Sequence, residues 1–200
     1  MKTFFISTSI PYVNADPHIG YALELIEADV LARFRRERGS DVFFLIGTDD
    51  NALKNVQAAE KAGIPIQKWV SDHAKIFESA AAKLNIGNSD FIKTSSDKRH
   101  IEGAQKLWLA CKKGDIYKKR YSGLYCVGCE SFKTEKDLQN NECPEHKGKK
   151  LETIEEENYF FRLSNYQKQL YAIIKDEKLK IITESRKNEI LKFIESGLED

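Results

Sequence analysis

The stretch from Ser9 to Gly20, Ser-Ile-Pro-Tyr-Val-Asn-Ala-Asp-Pro-His-Ile-Gly, constrains this chain more than any other. Before it, Phe4-Phe5-Ile6 reads as a buried strand. After it, apolar residues recur at Ile19, Ala22/Leu23, Ile26, Val30 and Phe34, the spacing of one helix face. The chain therefore opens on a strand, a proline-stiffened loop and a helix. Pro17 suits a first helical turn, where its missing N–H costs nothing. His18 and Gly20 fall at the helix N-terminus, where unpaired N–H groups and the positive dipole end attract anions. Gly20 lets a ring or a phosphate approach the backbone closely. Taken alone, a capping histidine and a packing glycine account for these two residues equally well.

Asp41 to Gly47 is a second near-continuous apolar run, which predicts a strand of a parallel sheet covered on both faces. Gly39 closes the intervening helix. Strand, helix and strand make a βαβ unit, and ligands of such sheets sit at the carboxyl ends of the strands. Two loops occupy that edge, Ser9 to Pro17 and Gly47-Thr48-Asp49-Asp50-Asn51. Thr48, Asp49 or Asp50 can cap the next helix. Alternatively, one carboxylate faces the cleft and pairs with a ligand ammonium.

Helical stripes follow at Ile66, Trp69/Val70, His73, Phe77, Ala80/Ala81 and Leu84, and at Ile101, Ala104, Leu107/Trp108 and Cys111, with a short strand at Asp90 to Thr94 between them. His73 is expected to be packed, and Cys111 to be a small buried hydrophobe. From Asp115 the pattern changes. Ile116 to Lys118 and Tyr121 to Tyr125 read as short strands around a turn. They lead into Cys126-Val127-Gly128-Cys129, answered by Cys143-Pro144-Glu145-His146. Cys-x2-Cys with Cys-x2-His is the spacing of a tetrahedral zinc knuckle, each pair a tight turn offering two ligands. Four protein ligands leave no place for water, so such a zinc is structural, one per chain. The competing reading is a disulfide beside an uninvolved histidine. Strands at Leu151 to Ile154 and Asn158 to Leu163, then two helices marked by Tyr166, Leu170 and Ile173/Ile174 and by Ile190 and Phe193/Ile194, complete the chain.

Thirty-two basic residues against 31 acidic ones give a formal charge of +1, so any RNA binding must come from local patches. The mean hydropathy is -0.52, and no apolar run approaches the roughly 18 residues of a membrane helix. Met1 to Ile6 reads as a core strand and not as a signal peptide. Four cysteines in such a chain argue for a reducing, cytoplasmic setting.

Pro11-Tyr12-Val13-Asn14 leading into His18-Ile19-Gly20 after a first strand resembles the His-Ile-Gly-His signature of class I aminoacyl-tRNA synthetases, and the lead-in resembles methionyl-tRNA synthetases in particular. Gly47-Thr48-Asp49 resembles that family's segment whose aspartate holds the methionine amino group. Gly123-Leu124-Tyr125-Cys126-x2-Cys129-Glu130, the Cys143/His146 pair and Glu157 to Phe161 resemble its connective-peptide domain with a single knuckle. Two departures stand near the reaction centre: Tyr21 replaces the second signature histidine, and Asp50-Asn51-Ala52 stands where the family has Glu-His-Gly.

The resemblance implies an α/β, Rossmann-like parallel sheet over residues 1–114, the first half of a class I catalytic domain. It implies a connective-peptide domain over 115–200 with its zinc knuckle at 126–146. It implies activation of methionine by ATP with Mg, then transfer to initiator and elongator methionine tRNA. His18, Gly20 and Tyr21 would be catalytic, and His18, Ile19 and Gly20 would bind ATP. Ser9, Ile10, Tyr12 and Asp49 would bind methionine, and Cys126, Cys129, Cys143 and His146 zinc. No membrane partner is implied. Because the Lys-Met-Ser-Lys-Ser loop and anticodon-binding helices do not appear, the chain is expected to be a fragment that forms no adenylate alone. The alternatives are a non-catalytic, zinc-containing tRNA-binding or regulatory protein derived from a synthetase, and another nucleotidyltransferase of the same superfamily.

Overall fold

The computed structural model describes residues 2–129, 131–134 and 137–200; Met1 and Glu130, both used in the sequence reading, lie outside them. The chain forms two compact units. One joins Met1–Lys106 to Cys126–Leu151, and the other joins Leu107–Tyr125 to Glu152–Asp200. The cysteine segment thus belongs with the N-terminal unit. No helix among the described residues is long and apolar enough to cross a membrane.

In the first unit, β1 (Thr3–Ser7), β2 (Asp41–Thr48) and β3 (Asp90–Lys93) form a parallel sheet in the order β1-β2-β3. Helix α1 (Ile19–Glu37) connects the first two strands, and α2 (Leu53–Ala62) with α3 (Ile66–Lys83) connects the second to the third. Strand periodicity of two decides the packing. Phe44 and Ile46 face the core, with Leu25, Ala28 and Ala32 of α1 and Val70, Phe77 and Ala81 of α3. Their neighbours point the other way: Phe5 is 61% and Phe43 46% exposed, paired across the sheet with ring centroids 6.2 Å apart. The expectation of a sheet covered on both faces is corrected for the described residues, because α1 and α3 both pack on the Phe44 side. Likewise Phe4-Phe5-Ile6 is an edge strand of alternating exposure.

A buried carboxylate locks α1 to the segment that enters β3. Asp29 accepts from Arg33 Nε at 2.6 Å and from the Gly87 amide at 2.8 Å. Arg36 donates to the Gly87 carbonyl and Arg33 to that of Asn85. These charge-assisted bonds satisfy loop backbone that the sheet cannot reach. Helix α4 (Lys98–Ala110) carries no buried residue, and Cys111 after it is only half-buried, its Sγ against the Leu107 carbonyl. The helical spacing at Ile101, Ala104 and Leu107/Trp108 is found, but Leu107 and Trp108 are exposed.

The second unit is a long hairpin and a helix pair. β4 (Ile116–Cys126) and β6 (Glu152–Phe161) pair antiparallel, each continuous where the sequence suggests two short pieces. Charged residues that read as a break project from the ribbon while its backbone ladder continues: Arg120 lies opposite Glu157, and Lys118 Nζ reaches Glu157 at 3.4 Å. A short β5 (Ser131–Lys133) follows the first cysteine pair. Helices α5 (Gln167–Lys175) and α6 (Glu184–Glu195) bury Ile174 and Ile194 against each other. Buried Asp115 accepts from Tyr166 Oη at 2.5 Å, and that bond raises the Tyr166 pKa.

The two sheet faces should differ sharply in a urea titration. Phe44→Ala opens a cavity in a fully buried site and is expected to cost about 3–5 kcal/mol, whereas Phe43→Ala should cost under about 1 kcal/mol.

Candidate active site and metal centre

Two proline residues leave the loop between β1 and α1 short of backbone donors, so other elements must hold it. The Asp49 amide donates to the Pro11 carbonyl at 2.9 Å, and Tyr12 and Asp49 form an isolated parallel bridge. Trp69 Nε1 donates to the carbonyl of fully buried Val13 at 2.8 Å. Glu24 of α1 takes both the amide and the hydroxyl of Ser9, at 2.7 and 2.6 Å. The loop is thus pinned to β2, α3 and α1, and it ends at the strand ends where a parallel sheet presents its ligands.

His18 is the N-cap of α1, and its Nδ1 accepts the Gly20 amide at 3.1 Å. The capping reading is therefore what the free chain shows. It leaves Nε2 as the donor of the neutral ring. A Cβ on Gly20 would meet the imidazole at 3.0–3.1 Å, so the glycine is needed for the ring to lie across the helix end. His18, Ile19 and Gly20 are all exposed. Tyr21 is buried, and it meets Phe77 edge-on at 5.0 Å. Burial, then the nearby Glu24 carboxylate, pushes its pKa up to about 12, so the phenol stays neutral. Its hydroxyl has no partner among the described residues. Tyr12, Asn14, Asp16, His18 and Tyr21 line a hollow of about 350 Å³.

Neither Thr48, Asp49 nor Asp50 caps α2, whose N-cap is Ala52 without a side-chain bond. The two aspartates divide their work. Asp50 is buried and accepts from Thr48 Oγ1 at 2.9 Å and Ser95 Oγ at 2.8 Å, while its amide donates to Thr94 Oγ1. Asp49 is half-buried; its Oδ1 accepts the Asn51 amide at 3.1 Å and the Thr94 hydroxyl at 3.4 Å. Asp50 is committed to structure, and Asp49 is the carboxylate left beside Tyr12. Ile10 is 36% exposed. His73 is packed as expected, stacked on Trp69 at 3.9 Å. Sequence reasoning missed Glu24, Trp69, Thr94 and Ser95. Only Trp69 carried a signal, an indole on an apolar helix face; Glu24 reads as solvent-facing, and Thr94 and Ser95 lie in the connection after β3.

Elsewhere in the same unit, Cys126, Cys129, Cys143 and His146 bring one ligand atom each to within 4.8 Å of one another. All four cysteines of the chain are free thiols. Cys129 Sγ lies 3.4 Å from Cys143 Sγ and 3.3 Å from His146 Nδ1, and Cys126 Sγ lies 3.8 Å from that nitrogen. Tetrahedral ligands at zinc–sulfur lengths of about 2.3 Å stand about 3.7 Å apart, so the group fits such an ion. Burial opposes ionisation of Cys126 and Cys143, yet the Cys129 amide and the His146 ring outweigh it and lower both pKa values. Burial and the Cys143 thiol push Cys129 up to about 12. Gly128 packs against the His146 ring, with no room for a Cβ.

A family model described as "tRNA synthetases class I (M)" matches residues 4–154 and 137–200. The chain belongs to this family. It is 41% identical over 201 residues to a methionine–tRNA ligase of Fusobacterium nucleatum, covering 100% of this chain and 31% of that protein. It is 42% identical to that of Thermotoga maritima, covering 98% and 32%. A Mycobacterium tuberculosis methionyl-tRNA synthetase solved in complex with methionyl-adenylate superposes with a TM-score of 0.93 at 39% identity, over 100% of this chain and 40% of that one. The class I synthetase chain thus spans about a third of the length of these curated relatives. The parallel α/β sheet expected from its sequence is the fold found.

The two aspartates after β2 separate by substitution. Asp50→Ala leaves Thr48 and Ser95 unpaired and is expected to cost about 2–4 kcal/mol in a thermal or urea melt. Asp49→Ala is expected to cost under about 1 kcal/mol.

Proposed function

We propose that the polypeptide carrying these residues is a methionine–tRNA ligase, acting in the cytoplasm on methionine, ATP with Mg and methionine tRNA. The observation that carries this is the half-buried Asp49 beside Tyr12 in the loop that leads to the His18 cap of α1. The M. tuberculosis relative binds methionyl-adenylate on the same fold, and the loop geometry suits both ends of that compound.

In this reading the methionine ammonium pairs with Asp49, and the thioether lies against Tyr12, with Ile10 and the Ser9 carbonyl completing the wall. The Ser9 amide and hydroxyl are already taken by Glu24. An aromatic wall suits a polarizable sulfur. The substrate carboxylate attacks the α-phosphorus of ATP; a carbon–oxygen–phosphorus link forms, and pyrophosphate leaves with the electron pair of the broken bond. The protein supplies no nucleophile. It positions the reactants and stabilises charge with dipoles fixed in advance. His18 Nε2, with the Ile19 and Gly20 amides at the α1 N-terminus, would meet the phosphates. Tyr21 would offer a neutral hydroxyl.

The Cys3His group supports one structural zinc, held by Cys126, Cys129, Cys143 and His146. When bound, the ion closes the segment into a knuckle and takes no part in the reaction. We keep a catalytic half-sheet at 1–114 and a connective-peptide domain at 115–200 as the family division, although contact places 126–151 with the first unit.

The natural polypeptide should catalyse methionine-dependent ATP–pyrophosphate exchange, and His18→Ala should lower it about 100- to 1,000-fold. Exchange absent from a zinc-replete preparation, or equal with other amino acids, would contradict the assignment. Metal analysis of protein purified without chelator should return one zinc per chain. Cys126→Ser should lower that content and expose 126–151 to proteolysis before the β1–β2 sheet.

A further inference from the structure

Glu24 stands at the edge of the buried face of α1. It falls three residues after Tyr21 and four before Ala28, both buried, and residues at those spacings are neighbours on a helix surface. Its side chain is half-buried, while Leu23 and Ile26 beside it in sequence are exposed. Each carboxylate oxygen takes one donor of Ser9, fifteen positions away: Oε1 the backbone amide at 2.7 Å, Oε2 the hydroxyl at 2.6 Å. Both bonds are charge-assisted, hence stronger than neutral ones. The amide bond fixes the peptide plane that enters Ser9, and the hydroxyl bond fixes its side chain. Held at two points, the residue cannot turn.

The backbone around Ser9 decides what this grip controls. Strand β1 ends at Ser7. The next tie to the sheet is the Asp49 amide on the Pro11 carbonyl, followed by the Tyr12–Asp49 bridge. Thr8, Ser9 and Ile10 between them belong to no strand, and Ser9 and Ile10 are exposed. Pro11 has a fixed φ but no N–H to add a tie. The segment is therefore held by Asp49 at Pro11 and by Glu24 at Ser9. Glu24 is not among the residues that line the hollow of Tyr12, His18 and Tyr21.

We propose that Glu24 is a positioning residue for the amino-acid substrate: through the Ser9 amide and hydroxyl it sets the direction of the Ser9 carbonyl and of Ile10, the wall that completes the pocket beside Asp49 and Tyr12. The proposal rests on the methionine reading of that pocket. A competing account is a charge effect, because the Glu24 carboxylate also raises the Tyr21 pKa, second to burial. Glutamine separates the two. It keeps the length of the side chain and can hold the same two points, Oε1 accepting the amide and Nε2 donating to the hydroxyl oxygen, without the charge.

The test measures methionine-dependent ATP–pyrophosphate exchange by the natural polypeptide. Glu24→Ala should raise KM for methionine about ten-fold and leave KM for ATP within about two-fold of the parent. Glu24→Gln should recover most of that loss. Ser9→Ala, which removes the hydroxyl bond and keeps the amide bond, should fall between the parent and Glu24→Ala. An unchanged methionine KM in Glu24→Ala would overturn the proposal. So would an equal loss in Glu24→Gln, which would make the charge the active feature, or a matching rise in KM for ATP, which a general loss of structure would produce. Amide hydrogen exchange over residues 7–17 reads the grip without any activity. It should quicken in Glu24→Ala while exchange in β2 stays as in the parent, and no change over residues 7–17 would overturn the proposal. Quickened exchange in Glu24→Ala, with a parent that shows no methionine-dependent activity, would uphold the grip and overturn the ligase reading.

Discussion

The hydrogen bond from the Asp49 amide to the Pro11 carbonyl joins the ends of β1 and β2, and the site depends on it. Pro11 and Pro17 have no amide hydrogen, so the loop cannot build a ladder of its own. Its order comes from outside, from Asp49, from the Trp69 indole on Val13 and from Glu24 on Ser9. Each tie belongs to a different element, so the loop takes its shape only when β2, α3 and α1 are already packed around Phe44. The core, which takes in Val13 of the loop itself, thereby sets the geometry of its exposed neighbours.

The polar groups left unsatisfied gather in the same place. Thr8 Oγ1, Tyr21 Oη and Asn55 Oδ1 are buried without partners among the described residues. They stand at the end of β1, the start of α1 and the start of α2. An orphaned buried polar atom costs about 1–3 kcal/mol, and proteins tolerate that cost mainly where function requires it. Asp50 shows the opposite treatment a residue away from Asp49: hydroxyls on two sides hold its carboxylate. One carboxylate is fully paired to keep the strand ends together, and the other is left with weak partners where a ligand ammonium could replace them.

The opening of the chain was legible because a short apolar run, a proline loop and a helical stripe are local patterns, and the Cys3His spacing is likewise local. What failed were inferences needing the neighbour across space. Phe43 and Phe44 are identical in sequence, but only the helices' placement decides which is buried. Glu24 reads as a solvent-facing residue of α1, yet it holds Ser9 fifteen positions away. The β4 and β6 strands were split because charges look like a break in a one-dimensional pattern, whereas in a two-stranded ribbon they face water and each other. Leu107 and Trp108 follow helical spacing, and nothing in that spacing shows that α4 buries none of its residues.

The two departures from the family motif change the electrostatics in one direction. Tyr21 replaces an imidazole with a phenol that burial keeps neutral. Asn51 replaces another with a carboxamide, which donates to Thr94 at 3.3 Å. His18 is then the one imidazole in the signature loop and the loop after β2. Charge stabilisation does not require a formal cation, because an oriented N–H or O–H in a shielded site does similar work when it is fixed beforehand. In the proposed reading, the exposed α1 N-terminus and the His18 ring braced by Gly20, with the buried Tyr21 hydroxyl, would supply such donors once a ligand covers them. The proline-stiffened loop, tied to β2, α3 and α1, keeps those groups in place, and Lys54 of α2 stands over the Tyr12 ring at its edge.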